Sequence, residues 1–72
     1  MKITTIKYDD YNNKYPEIIE IAPWFVRNIY KNEKNDIYSI KLVGNDYPIY
    51  TTKEDYEKIE EYIRQREEHE YI

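Results

Sequence analysis

The chain has 72 residues and a mass of 9.0 kDa, enough for one small domain spanning 1–72 and a single core. Charged residues make up 36% and the mean hydropathy is −1.04, but 17% of residues are aromatic, which excludes a disordered tail because unfolded chains are poor in aromatics. A formal net charge of −4 excludes a global phosphate-binding surface, and the lack of cysteine excludes disulfides, thiolate nucleophiles and cysteine-based metal sites.

In chain order, Lys2–Tyr8 is rich in Ile and Thr and predicts a strand. Asp9-Asp10-Tyr11-Asn12-Asn13-Lys14 is a polar turn, since Asp and Asn bond to nearby backbone. Glu17–Ala22 predicts a second strand, with one turn of helix as the alternative, and Pro23 ends it. Trp24–Tyr30 is a third strand, and a six-residue polar loop leads to a fourth, Ile37–Val43. Val43-Gly44-Asn45-Asp46 is the clearest turn, because Gly and Asn accept positive φ. Tyr47–Thr51 is a fifth strand, placed at an edge by Pro48, which has no N–H to give.

After it, Thr51 or Thr52 with Glu54 or Asp55 three residues on resembles a capping box. Tyr56, Ile59, Tyr62 and Ile63 then recur on one helical face. The pairs Glu54–Lys58 and Glu60–Arg64 would support that helix. It should run over about 53–66, ahead of a short acidic tail. The sum is an α+β fold: a small antiparallel β-meander of four or five strands (about 2–51) with one C-terminal amphipathic helix packed on one face. The expected core is Ile3, Ile6, Ile18, Ile21, Val26, Ile40, Leu42 and Ile49. So small a core favours a homodimer through an edge strand or the open sheet face.

Most chemical readings fail on residue type. His69 is the only histidine and sits among Glu67, Glu68 and Glu70 without a partner. Ser39 is the only serine and lies mid-strand. One glycine cannot build a phosphate loop. A calcium loop starting at Asp9 meets Tyr11 and Lys14 where a ligand and a glycine are required. No cofactor and no catalytic residue is therefore expected, and the chain reads as non-enzymatic. It carries neither a signal peptide nor a stretch near the ~20 apolar residues of a membrane span, which makes a cytoplasmic location the expectation.

Two surfaces remain. The excess acid lies in the C-terminal half, where Glu57, Glu61 and their neighbours would array carboxylates along the helix. The sheet face away from the helix would hold Phe25, Arg27, Lys41 and Tyr50, if Tyr38, Ile40 and Leu42 face the helix. Aromatics with interleaved cations serve either as a protein hot spot or as a stacking platform for single-stranded bases. Trp24 is expected in the core or at its edge, and Tyr8, Tyr11 and Tyr15 as caps over a small core, with an exposed interaction cluster as the alternative.

The expected function is a protein-binding module. Ile, Lys, Asn and Tyr fill half the chain, and their codons are AT-rich. A short AT-rich gene suits a virus or mobile element, and the expectation is an inhibitor or regulator of anti-defence type that occludes a host protein. The alternative is a nucleic-acid-binding module using the basic-aromatic sheet face.

Overall fold

The computed structural model describes residues 1–70, with side chains described through Arg66. His69 and the glutamates of the acidic tail thus have their side chains outside the described part.

Five strands and one long helix make up the α+β fold: β1 (Lys2–Tyr8), β2 (Lys14–Glu20), β3 (Val26–Asn32), β4 (Ile37–Leu42), β5 (Ile49–Tyr50) and α1 (Lys53–Glu70). All pairings are antiparallel, and they form two sheets rather than one meander. β1 and β2 make a hairpin, while β3, β4 and β5 make a three-stranded sheet in that order. A single antiparallel bridge, Thr5 to Thr51, joins them. Thr51 Oγ1 donates to the Thr4 carbonyl at 2.8 Å, and Thr5 Oγ1 donates to the Glu17 carbonyl at 2.8 Å. These two buried threonines thus satisfy their hydroxyls at the seam.

The turns follow local chemistry. Asp9 Oδ1 accepts from the N–H groups of Tyr11 and Asn13, each at 2.9 Å. Asn12 beside them sits at φ 63°, and Asp36 in the β3–β4 turn at φ 56°; both residue types tolerate that region. Gly44 takes φ 81° after β4. The short turn between β2 and β3 is a 3₁₀ turn, Pro23–Phe25, not the start of a strand. Proline suits its first position because the N–H there needs no partner.

Of the expected strand Glu17–Ala22, Glu17 to Glu20 are strand, in a β2 that begins earlier, at Lys14, and Ile21 and Ala22 follow it outside the pairing. The core gathers Ile3, Ile21, Val26, Ile40 and Ile59, with Met1, Ile19, Ile29, Leu42, Ile49 and Ile63 packed around it. Ile18, expected inside, is 70% exposed. Strand parity is the reason: Ile19 stands opposite Ile3 and shares its face, so Ile18 must point the other way with Thr4. Ile6 is half-buried.

α1 lies over the inner face of the three-stranded sheet. Tyr56 and Ile59 are buried, and Tyr56 meets Tyr38 of β4 with ring centroids 5.3 Å apart. Thr52 caps the helix: the Asp55 N–H donates to Thr52 Oγ1, and Thr52 Oγ1 to Asp55 Oδ2 in place of the backbone N–H bond of a capping box, both at 3.3 Å. Asp55 Oδ2 also accepts from the Thr4 N–H at 2.7 Å, tying the helix start to β1. The helix ion pairs form at i,i+3, Asp55–Lys58 and Glu61–Arg64, rather than at the expected i,i+4 positions. α1 continues to Glu70, four residues beyond the expected end.

Candidate binding faces around the three-stranded sheet

Register fixes which side chains share the outer face. Tyr30 stands opposite Ser39, and Ser39 opposite Tyr50, so a Tyr–Ser–Tyr row crosses the sheet. Asn28 stands opposite Lys41 in the next outward row. A groove of about 550 Å³ runs over these rows, lined by Asn28, Tyr30, Ile37, Ser39, Lys41, Pro48 and Tyr50. Ser39 is only 6% exposed, because the tyrosines on either side shade it. The small residue makes the floor and the two rings make the walls. A second hollow, about 280 Å³, continues past Tyr50 to Ile6, Tyr8 and Lys14 at the seam between the sheets.

The charge of this face departs from the rest of the chain. Fifteen residues of the sequence are acidic, yet none lines either hollow. The charged groups there are Lys41 and Lys14. Together with Tyr8, Tyr30 and Tyr50 they form an aromatic, mildly cationic surface.

The structure divides the four residues expected to share this face. Lys41 and Tyr50 are on it. Phe25 lies in the 3₁₀ turn, exposed beside Trp24 with ring centroids 6.3 Å apart. Arg27 is elsewhere. The register slips between Val26 and Asn28, so Arg27 is the extra residue of a β-bulge. The bulge breaks the alternation and sends Arg27 round to the helix side. There it lines a groove of about 400 Å³ with Asn28, Ile29, Glu60, Ile63, Arg64 and Arg66. The three arginines of the sequence, Arg27 far in the chain from Arg64 and Arg66, line this one groove.

Glu57 and Glu61 lie on the opposite, solvent side of α1, around a shallow hollow with Glu54 and Lys58. Two expectations about aromatics are corrected. Trp24 is 63% exposed rather than part of the core edge, because the 3₁₀ turn holds it away from Val26 and Ile21. Tyr8, Tyr11 and Tyr15 are all exposed and cap nothing.

Glu60 links the arginine groove to the core. Lys31 Nζ lies 3.7 Å from Glu60 and 3.4 Å from Glu33. The hydrogen bond to Glu33, with the nearby charge of Glu60, holds the Lys31 ammonium above its ordinary pKa. Burial pushes the Tyr56 hydroxyl up, and the charge of Glu60 adds to that, partly opposed by Lys31. Among the described residues no group of three potential ligands could hold a metal ion, and no helix is long and apolar enough to cross a membrane.

Register reasoning from sequence missed two things. The bulge at Arg27 has no residue signature, since neither Gly nor Pro marks it. The long-range meeting of Arg27 with Arg64 and Arg66 depends on where α1 lies. Compared with known proteins, the chain matches no family model, no curated protein and no solved structure.

Proposed function

We propose that this chain is a small non-enzymatic protein-binding module that acts by covering a surface of its partner. The observation that carries this reading is the outer face: exposed Tyr30 and Tyr50 flank shaded Ser39, exposed Tyr8 lines the adjoining hollow, and no carboxylate is among the lining residues. Tyrosine brings large contact area with little conformational freedom to lose, and it is enriched where binding energy concentrates. Ile37, Pro48 and Ile6 supply apolar ground between the rings. The complementary surface on the partner is apolar with an acidic rim, facing Lys14 and Lys41. The setting that fits a 72-residue chain of this composition is the cytoplasm of a host cell. There a viral or mobile-element protein, alone or as a homodimer, blocks a host enzyme of the defence type.

The two lysines and the exposed tyrosines also favour a second reading, single-stranded nucleic acid across the same face. Salt separates the two. Binding that neutralises phosphates weakens steeply with added salt, whereas an apolar hot spot responds little.

The test is affinity capture from host lysate with and without nuclease, followed by titration of the recovered partner. Substituting Tyr30 and Tyr50 together by Ala should weaken binding by about 2 kcal/mol or more, the scale of a hot-spot truncation. Unchanged affinity in that double variant would remove the outer face as the site. Recovery that depends on nucleic acid would replace the first reading with the second.

A further inference from the structure

The two grooves described above meet at one line, the free edge of β3. Asn28 and Ile29 line both of them. β3 is the outermost strand of its sheet, and among the described residues no other strand pairs with that edge.

The hydrogen-bond pattern shows which backbone groups point outward. The Thr51 N–H donates to the Tyr38 carbonyl at 2.9 Å, so Tyr38 turns its backbone toward β5. Orientation repeats every second residue, so Ile40 does the same. The residues opposite them on β3, Lys31 and Ile29, therefore turn their N–H and C=O groups away from β4, toward the open edge. Unpaired groups in this order are a template for another strand.

β2, the outer strand of the separate β1–β2 hairpin, differs. β2 carries Pro16, which has no N–H, and the acidic Glu17 and Glu20. Proline and charge blunt an edge; β3 has no proline and no acid.

A strand laid along β3 would send alternate side chains to opposite sides. On the helix side they meet Arg27, Arg64 and Arg66 over Ile29 and Ile63. Glu60 faces the same groove but is engaged by Lys31, and Arg64 is also paired with Glu61. Among the described side chains, three guanidiniums against these two carboxylates leave the groove cationic, and guanidinium forks match carboxylates in a bidentate way. On the outer side the alternate residues meet Tyr30 and Asn28.

We infer that the free edge of β3 takes an extended segment of the protein partner by strand addition, with carboxylates at alternate positions seated among Arg27, Arg64 and Arg66. Main-chain hydrogen bonds to Ile29 and Lys31 hold the segment, and the two grooves read its alternating side chains. This inference rests on the protein-binding reading and names the chemistry of the partner.

The experiment uses the whole chain and three synthetic hexapeptides. One alternates Glu and Val; the second has Gln for each Glu; the third is the first with alternate backbone nitrogens methylated on the pairing edge. Expected is binding of the first peptide that slows exchange of the Ile29 and Lys31 amide protons at least about ten-fold. The Gln peptide should bind at least about ten-fold more weakly, and the methylated peptide should give no protection. Arg27→Glu, at an exposed position outside the core, should weaken the Glu peptide and not the Gln peptide. Absence of binding up to millimolar peptide, equal affinity for Glu and Gln peptides, or binding without protection of those two amides would overturn the inference. Because Tyr30→Ala with Tyr50→Ala tests the outer face separately, the peptide result can fail while the protein-binding reading stands.

Discussion

Asp55 shows how one carboxylate can carry two structural duties. It accepts the Thr52 hydroxyl at the helix cap and the Thr4 N–H from β1. Asp55→Ala leaves the backbone cap on Thr52 Oγ1 but removes the acceptor of the Thr52 hydroxyl, a bond worth about 0.5–1.5 kcal/mol. It also strands a part-buried N–H, at a further cost of about 1–3 kcal/mol. Asp55→Asn keeps an acceptor oxygen and should lose less than half as much. Urea unfolding of both variants checks this, and equal losses would mean that charge rather than hydrogen bonding matters. Tyr56 gives a pH prediction. Its pKa is raised in the folded state, first by burial, so the unfolded chain ionises it sooner as pH rises. Its contribution is fully present below the unfolded tyrosine value, about 10, and is lost as pH climbs through the higher folded value. Lys31, also raised, acts in the same direction. Tyr56→Phe should therefore flatten the fall of stability above about pH 10 relative to the parent chain. An unchanged slope in urea titrations across that range would show that other groups govern alkaline unfolding.

Strands obey parity, and parity sets both what could be read and what could not. The five strands, their antiparallel pairing and the C-terminal helix follow from alternation, turn residues and the helix-capping residues, and the structure has them. Ile18 and Ile21 cannot both face one core from a single regular strand, and Ile18 is the one left outside. Accordingly Ile18→Thr should change stability by no more than about 0.5 kcal/mol, as surface substitutions do. Ile40→Ala, at a residue 1% exposed, should cost about 2–5 kcal/mol. Midpoint shifts of similar size in the two variants would contradict the register. The outer face was partly legible, because Lys41 and Tyr50 alternate with Ile40 and Ile49 on strands that stay regular. Arg27 escaped the same reasoning, since one inserted residue at the bulge reverses the side on which it emerges. The split into two sheets was also hidden: it depends on β5 being only two residues long and meeting β1 at one bridge.

At the scale of the molecule, the question is whether two sheets joined by one bridge behave as one cooperative unit. Backbone pairing alone would let the β1–β2 hairpin detach, because an isolated hairpin is marginal in water and one bridge holds it weakly. Packing argues otherwise. Ile3 lies within β1 and Ile21 directly follows β2, and both sit in the same cluster as Val26, Ile40 and Ile59. Removing the hairpin would therefore uncover most of the only core cluster among the described residues. The Asp55 bond to Thr4 would break at the same step. Unfolding in urea should then be a single transition, coincident when followed by backbone circular dichroism and by fluorescence of Trp24, which reports from the β3 side. Thr51→Val deletes the hydroxyl that donates to Thr4. It should lower the midpoint by about 1–2 kcal/mol equivalent, the scale of a lost hydrogen bond that leaves a part-buried acceptor. The two probes should still coincide in this variant, because the shared apolar cluster remains. Separate transitions in the parent chain would mean that the hairpin is an independent unit. Separation only in Thr51→Val would assign the coupling to the threonine seam rather than to the core.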